Sequence, residues 1–294
     1  MTARIISGTE IARQITEEVR QEVEALKTHG ITPGLATVLV GEDPASQVYV
    51  GSKVKMCQNL GIYSERVDLP ASTSEAKLLE VVESLNHNPK IHGILVQVPL
   101  PKHIDEGKVI FAIDPAKDVD GFHPVSVGRM VIGEPGFLPC TPHGIQVLLE
   151  RSGVKTEGVE VVVVGRSNIV GKPIANILLQ KAKGANATVT ICHSATRDMA
   201  SHTRRADILI AAIGKPRFIT ADMVKEGVVV IDVGTNDIGR TAEGKRILAG
   251  DVDFESVKEK ASAITPVPGG VGPMTIVMLM SNTVKAARMA ARLG

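Results

Sequence analysis

In "SQVYVGSKVK", Tyr49 and Lys53 stand four residues apart, so on a helix the ring and the ammonium share one face while Lys55 points elsewhere. The pair makes a floor for a flat ligand, or simply a half-buried ring beside a solvated lysine. Gln97 ends the apolar run of "GILVQVPLP". A buried amide there must find hydrogen-bond partners, and strand ends are where open α/β sheets bind ligands. In "AKDVDGFHP", Asp118 or Asp120 can cap a turn, and either can accept a bidentate pair of N–H donors from a ring amidine. "PVPGGVGPMT" carries little side-chain bulk and reads as a hinge, or as a wall on which a flat ligand lies against backbone.

A second constellation follows the apolar run "VEVVVV". In "GRSNIVGKP", residues 165–173, Gly165 and Gly171 match the outer glycines of a dinucleotide-binding fingerprint, but Ser167 replaces the middle one and Gly171 comes one residue late. The turn is longer than usual. Ser167 can offer a hydroxyl to a phosphate or ribose oxygen, and Pro173 suits the first turn of the helix that follows. An NAD site normally has an acid at the end of the next strand. Here "ICHSATR" has no carboxylate before Asp198, while Ser194, Thr196 and Arg197 are candidates to hold a phosphate and Arg166 to clamp it with forked bonds. The pattern favours NADP over NAD; the alternative is that Arg166 and Arg197 are solvated surface charges.

These residues need elements to hold them. From Thr9, the residues Ile11, Ile15, Val19, Val23 and Leu26 recur at helical spacing until "HGITPG" stops the pattern. "LATVLVG", "YSERVDL" and "IHGILVQVPLP" read as strands; "SQVYVGSKVKMCQNLG" reads as a helix ending at Gly61, and "SEAKLLEVVESLNHNP" as another capped by Ser72 or Ser74. The alternation implies parallel β-α-β units. Between Asp114 and Pro142 a Gly-, Pro- and Asp-rich stretch without sustained period reads as a long functional loop. A helix, "HGIQVLLERSG", then leads to four β-branched runs, "VEVVVVG", "ATVTICH", "ADILIAAIG" and "GVVVIDVG", the pattern of a nucleotide-binding sheet. The last helix, "TIVMLMSNTVKAARMAARL", is apolar on one face and suited to pack back on the first domain.

The expected fold class is therefore α/β in two domains. An N-terminal α/β catalytic domain spans 1–141 and takes back the C-terminal helix, 274–294, around a Rossmann-like NADP-binding domain at 142–273. A chain of 294 residues with 44% apolar content is long enough for two cores. With 33 Lys and Arg against 32 Asp and Glu, no charge excess draws the protein to nucleic acid or to an anionic membrane. Cys57, Cys140 and Cys192 form no C-x-x-C pair, so neither a disulfide framework nor a metal site is indicated, and a reducing cytoplasm fits best. The N-terminus has no hydrophobic leader core, and the longest apolar runs fall short of a membrane span. A soluble, unexported protein is expected.

"YVGSKVKMC", "GILVQVPLP", "DPAKDVDGFHP", "LPCTPHG", "VVVVGRSNIVGKP", "TVTICHSAT", "VIDVGTN" and "ITPVPGGVGPMT", in this order over nearly the whole chain, resemble the bifunctional methylenetetrahydrofolate dehydrogenase/cyclohydrolase family. The resemblance implies oxidation of 5,10-methylenetetrahydrofolate with NADP and hydrolysis of the methenyl product to 10-formyltetrahydrofolate. It implies that Lys53 is the catalytic lysine, that Tyr49, Gln97 and Asp120 line the folate pocket, and that Pro268 and Gly269 border it. NADP contacts are implied at Gly165, Arg166, Ser167, Ser194 and Thr235, and a homodimer is implied by the resemblance alone. Departures from the family pattern are valine in "VQVPLP" where leucine is usual, threonine in "DVGTN" where isoleucine is commoner, and the insertion "KAKGAN". Two rivals are a shikimate-type NADP-dependent dehydrogenase, which leaves "KDVDG" and "PGGVGPMT" unexplained, and a non-catalytic NADP sensor, which has no use for Tyr49, Lys53, Gln97 and Asp120 together.

Overall fold

The structure, a computed structural model, describes residues 2–241, 244 and 246–293. In chain order the elements are β1 (Arg4–Ile5), α1 (Gly8–Thr28), β2 (Gly34–Val40), α2 (Pro44–Leu60), β3 (Tyr63–Leu69), α3 (Glu75–His87) and β4 (Gly93–Val96). Then come α4 (Glu106–Ala112), α5 (Pro124–Ile132), α6 (Cys140–Arg151), β5 (Glu160–Val164), α7 (Gly171–Leu178), β6 (Thr188–Cys192) and α8 (Met199–Thr203). The chain ends with β7 (Ile208–Ala211), β8 (Val229–Asp232), β9 (Asn236–Arg240), β10 (Arg246–Ala249), α9 (Phe254–Val257), β11 (Ala263–Ile264) and α10 (Val271–Ala290). It divides into two compact units: a first of Arg13–Cys140 with Ile276–Gly294, and a second of Met1–Ala12 with Thr141–Thr275. Among the described residues no helix is long and apolar enough to cross a membrane.

The first unit is built on a three-stranded parallel sheet ordered β3-β2-β4. Its central strand β2 is buried along its whole length, which is why it reads as an unbroken apolar run rather than an alternating one. Ala36, Val38 and Val40 pack on one face with Leu78, Val82 and Leu85 of α3 and Val109 of α4. Each large side chain so buried stabilises the unit by about 1.5–3 kcal/mol. In the C-terminal segment, Asn282 Nδ2 donates to the Val119 carbonyl (2.8 Å) and Lys285 Nζ to that of Gly136 (2.6 Å).

The stretch 114–142 is not the structureless loop its composition suggests, because it contains α5. His123 accepts from the Val125 N–H, Pro124 stands in the first turn, and Gly133 closes the helix in the left-handed conformation at φ 76°. Only Ser126 and Met130 of α5 are buried, too few positions to impose a visible period.

In the second unit six parallel strands are ordered β1-β11-β8-β7-β5-β6, beside an antiparallel β9–β10 hairpin. The chain moves from β5 to β6 on one side and then to β7 on the other, so the sheet reverses direction at β5. The crevice at the carboxyl ends of β5 and β7 is the topological switch point at which such sheets bind nucleotides. Residues 1–12 depart from the expected boundary: β1 pairs with β11 as the edge of this sheet. Two residues cannot carry a period, so neither strand was visible in the sequence. The inserted "KAKGAN" forms a loop after α7, where the Gly184 carbonyl accepts from Gln146 Nε2 at 3.1 Å.

Candidate active site

Helix α2 starts with Asp43, which accepts from the Ser46 N–H at 2.7 Å, and stops at Gly61 in the left-handed conformation. Its buried stripe is Ser46, Val50, Lys53, Cys57 and Leu60. Lysine is rarely enclosed unless something partners it, yet Lys53 is only 6% exposed. Its Nζ donates to Gln97 Oε1 at 2.9 Å. Gln97 follows β4; its N–H donates to the Val38 carbonyl (2.8 Å) and its Nε2 to the Val98 carbonyl (2.7 Å). A carbonyl only accepts, so the amide group must face Val98 and its oxygen must face the lysine. Burial pushes the Lys53 amine below its ordinary value, and the nearby Asp120 charge opposes this. Asp120 is half-buried; burial raises its carboxyl, with Lys53 pulling the other way. The arrangement is a lysine whose neutral form is within reach, oriented by one amide, beside a carboxylate that can accept N–H donors.

Asp118 and Asp120 are separated by their partners. Asp118 is 1% exposed and accepts from the N–H groups of Phe122 (3.2 Å) and His123 (2.9 Å), so it closes the turn into α5. Tyr49, one helical turn before Lys53, has an exposed ring free to carry a flat group.

In the second unit a cavity of about 500 Å³ opens at the switch point, lined by Gly165, Arg166, Ser167, Ser194, Thr196 and Lys215 among others. Gly165 has φ 138°, and a Cβ there would lie 2.1 Å from the Ala212 carbonyl oxygen; one on Gly171 would lie 2.2 Å from the Gly165 carbonyl oxygen. The outer glycines therefore serve close backbone packing. Ser167 is turned differently from the expectation that it faces the ligand. Its Oγ accepts from the N–H groups of Val170 (3.1 Å) and Gly171 (3.3 Å), while its carbonyl accepts from Lys172 (3.1 Å). The N–H groups of Gly171 and Lys172, the first of α7, are thus engaged within the turn, and Arg166, Lys215 and the hydroxyls of Ser194 and Thr196 are among the polar side chains that line the cavity beside it. Two cations, hydroxyl donors and a tight glycine turn fit a phosphate-bearing dinucleotide.

Residues 6–120 match the family model for the catalytic domain of tetrahydrofolate dehydrogenase/cyclohydrolase, and residues 139–291 match the model for its NAD(P)-binding domain. The chain belongs to the tetrahydrofolate dehydrogenase/cyclohydrolase family. It is 70% identical over 291 residues to the bifunctional protein FolD of Dehalococcoides mccartyi strain CBDB1, covering 99% of this chain and 98% of the relative. The bifunctional FolD methylenetetrahydrofolate dehydrogenase/cyclohydrolase of Campylobacter jejuni has the same fold, with a TM-score of 0.92 at 48% identity over 99% of this chain and 100% of that one. The Trypanosoma brucei methylenetetrahydrofolate dehydrogenase-cyclohydrolase, solved with NADP and an inhibitor, gives 0.94 at 39% identity over 99% of each chain.

Of the site residues that the family resemblance implies, Lys53, Gln97 and Asp120 come together in the first unit. Gly165, Arg166, Ser167 and Ser194 line one cavity in the second, whereas Thr235, exposed between β8 and β9, is not among the residues lining it. Pro268 and Gly269 also lie in the second unit; the Gly269 carbonyl accepts from the Thr9 N–H at 3.0 Å, so this loop is braced against the start of α1. Lys215, whose ammonium sits 5.4 Å over the Phe218 ring, escaped the sequence reading because "AAIGKP" follows a strand without any motif around it.

The two acids of "KDVDG" can be told apart experimentally. Asp120→Ala is expected to weaken folate binding at least tenfold, the loss of a hydrogen bond to a charged group worth about 1.5–3 kcal/mol. Asp118→Ala is expected instead to lower stability by about 1–3 kcal/mol, because it strands buried N–H groups. Folate titration and urea denaturation of both variants check this, and a folate defect confined to Asp118→Ala would reverse the assignment.

Proposed function

We infer that this chain is an NADP-dependent 5,10-methylenetetrahydrofolate dehydrogenase and 5,10-methenyltetrahydrofolate cyclohydrolase. The observation that carries the reading is Lys53, buried on α2 and bonded to Gln97 beside Asp120, in a chain that matches both family domains. Asp120 would accept N–H donors from the amino-pyrimidinone edge of the pterin, contacts that favour its charged form against the effect of burial. Tyr49 would stack on the aminobenzoyl ring. Bound NADP supplies the acceptor for the hydride that leaves the methylene carbon. The cation left behind is spread over the two flanking nitrogens, so the first unit needs positioning more than a strong base. In hydrolysis, neutral Lys53 takes a proton from water as its oxygen bonds to the methenyl carbon, and returns a proton to N5 as the carbon–N5 bond breaks. Gln97 holds the amine in line for both transfers. One proton is released overall, leaving the formyl group on N10.

Arg166 would meet the 2′-phosphate with Ser194 as a second donor. The engaged N–H groups of Gly171 and Lys172 support this assignment, since they are taken within the turn while Arg166 is its one charged side chain lining the cavity. Arg166→Ala is expected to raise KM for NADP about tenfold or more, a charge-assisted contact of about 1.5–3 kcal/mol, and to leave the weaker use of NAD nearly unchanged. Initial rates with both cofactors, following the absorbance of the methenyl product, test the activity and the assignment together. No methenyl product with either cofactor would refute the dehydrogenase. The family resemblance supports a homodimer, and three buried free thiols accord with a reducing cytoplasm.

A further inference from the structure

Two buried carboxylates in the second unit take no part in this chemistry. Asp232 ends β8 at 3% exposure, and Asp251, just after β10, is fully buried. Asp251 Oδ2 accepts from the N–H groups of Ile213 (2.7 Å) and Gly214 (2.9 Å), in the loop that leaves β7. Its other oxygen, Oδ1, accepts from Asn236 Nδ2 (2.9 Å) at the start of β9. Asp232 completes the bracket: Oδ1 accepts from Gly234 (3.0 Å) and from the Asp251 N–H (2.9 Å), and Oδ2 from Val252 (3.0 Å). The packing is close on both sides. A Cβ on Gly234 would stand 2.4 Å from Asp251 Oδ1, and one on Gly250 would stand 1.8 Å from Asp232 Oδ2.

Of the segments so joined, the loop that leaves β7 lines the cofactor-side cavity, and the turn after β8 carries Thr235, the NADP contact that the family resemblance implies. Ala212, Ile213 and Lys215 form a wall of the 500 Å³ cavity. Thr235 lies between Gly234, which Asp232 holds, and Asn236, which Asp251 holds. The amides of Ile213 and Gly214 lie beyond the end of β7, so the carboxylate replaces the missing ladder partner and fixes two successive residues at once.

We propose that Asp251 is a positioning residue for NADP, clamping the 212–215 wall to the 234–236 turn so that both keep one geometry for the cofactor. This rests on the reading of that cavity as the NADP site. Asparagine at this position has a single acceptor oxygen and an NH₂ donor. Either the Ile213 and Gly214 donors or the Asn236 donor would then face another donor, and one side of the clamp opens.

The test is Asp251→Asn in the full-length protein. NADP affinity by titration is expected to fall about tenfold or more, with KM for NADP rising more than kcat falls. In the cofactor-free protein, exchange of the Ile213 and Gly214 amides is expected to speed up by about tenfold or more. Hydrolysis of added methenyltetrahydrofolate without NADP is expected to stay within about twofold of wild type, because Lys53, Gln97 and Asp120 all lie in the first unit. Unchanged affinity and exchange in the folded variant would overturn the proposal, as would equal loss of both activities, the mark of a merely structural role. If the variant does not fold, Asn236→Ala decides: NADP affinity weakened about threefold or more supports the clamp, and unchanged affinity overturns it. A wild-type protein that does not bind NADP refutes the parent reading, and this proposal with it, before any variant is compared.

Discussion

Lys53→Met is expected to lower methenyltetrahydrofolate hydrolysis by about 10²–10⁴-fold, the usual contribution of a positioned acid–base group. Methionine keeps the length of the side chain and suits the stripe of Val50, Cys57 and Leu60. The variant should therefore fold. It removes a buried amine but strands Gln97 Oε1, an opposing cost of about 1–3 kcal/mol, so the net change in stability is expected to be small. The pH dependence gives a second readout. Folding lowers the Lys53 pKa, so the unfolded chain binds more protons than the folded one, and the stability cost of this residue is relieved as pH rises towards the ordinary lysine value of about 10.4. For the same reason the ascending limb of the hydrolysis profile should lie below that value in the wild type and be absent from the variant. NADP affinity should not move, since every residue lining the cavity proposed for the cofactor belongs to the second unit. Hydrolysis at the wild-type rate by a folded variant would remove Lys53 from the mechanism.

Gly165→Ala is expected to abolish NADP binding and dehydrogenase activity while leaving hydrolysis of added methenyltetrahydrofolate in place. At φ 138° an alanine is strained by about 1–3 kcal/mol from the backbone alone. Its Cβ would also lie 2.1 Å from the Ala212 carbonyl oxygen, which is backbone and cannot rotate away. Either β5 and β7 separate at their carboxyl ends or the turn leaves its position, and both alter the cavity. Gly153→Ala is the control, since its φ is 70° with nothing within 4 Å, and it should cost only the left-handed penalty of about 1–2 kcal/mol. Denaturation curves and NADP titrations of the two variants separate clash from strain. Equal effects would mean that close approach to Ala212 is not what Gly165 provides.

Much of the fold was legible because local pattern settles local structure. The stripe Ile11, Ile15, Val19, Val23 and Leu26, the run of β2 and the Gly61 stop each depend on residues within one or two turns and appear where the spacing puts them, and of the two candidate caps Ser72 and Ser74 it is Ser74 that caps α3. Elements too short or too sparsely buried to show a period were missed. The two-residue β1 and β11 exist through their place in the second unit's sheet, β11 between β8 and β1 and β1 at its edge, and α5 is held by caps rather than by a stripe.

At the sites, the sequence by itself determined which groups were available: a lysine four residues after a tyrosine, an amide at a strand end, two acids two apart, and an arginine inside a glycine turn. Tertiary structure alone decided where each of them points. Lys53 and Gln97 meet across 44 residues of sequence, and Asp251 reaches Ile213 across 38. Asp118 and Asp120 are the same residue type, yet one closes a turn and the other faces the lysine. Ser167 sits where the fingerprint has glycine, but its hydroxyl bonds back into its own turn. Periodicity is set by neighbours along the chain, whereas the direction of a polar side chain is set by whichever donor or acceptor the fold brings beside it and would otherwise leave buried and unpaired.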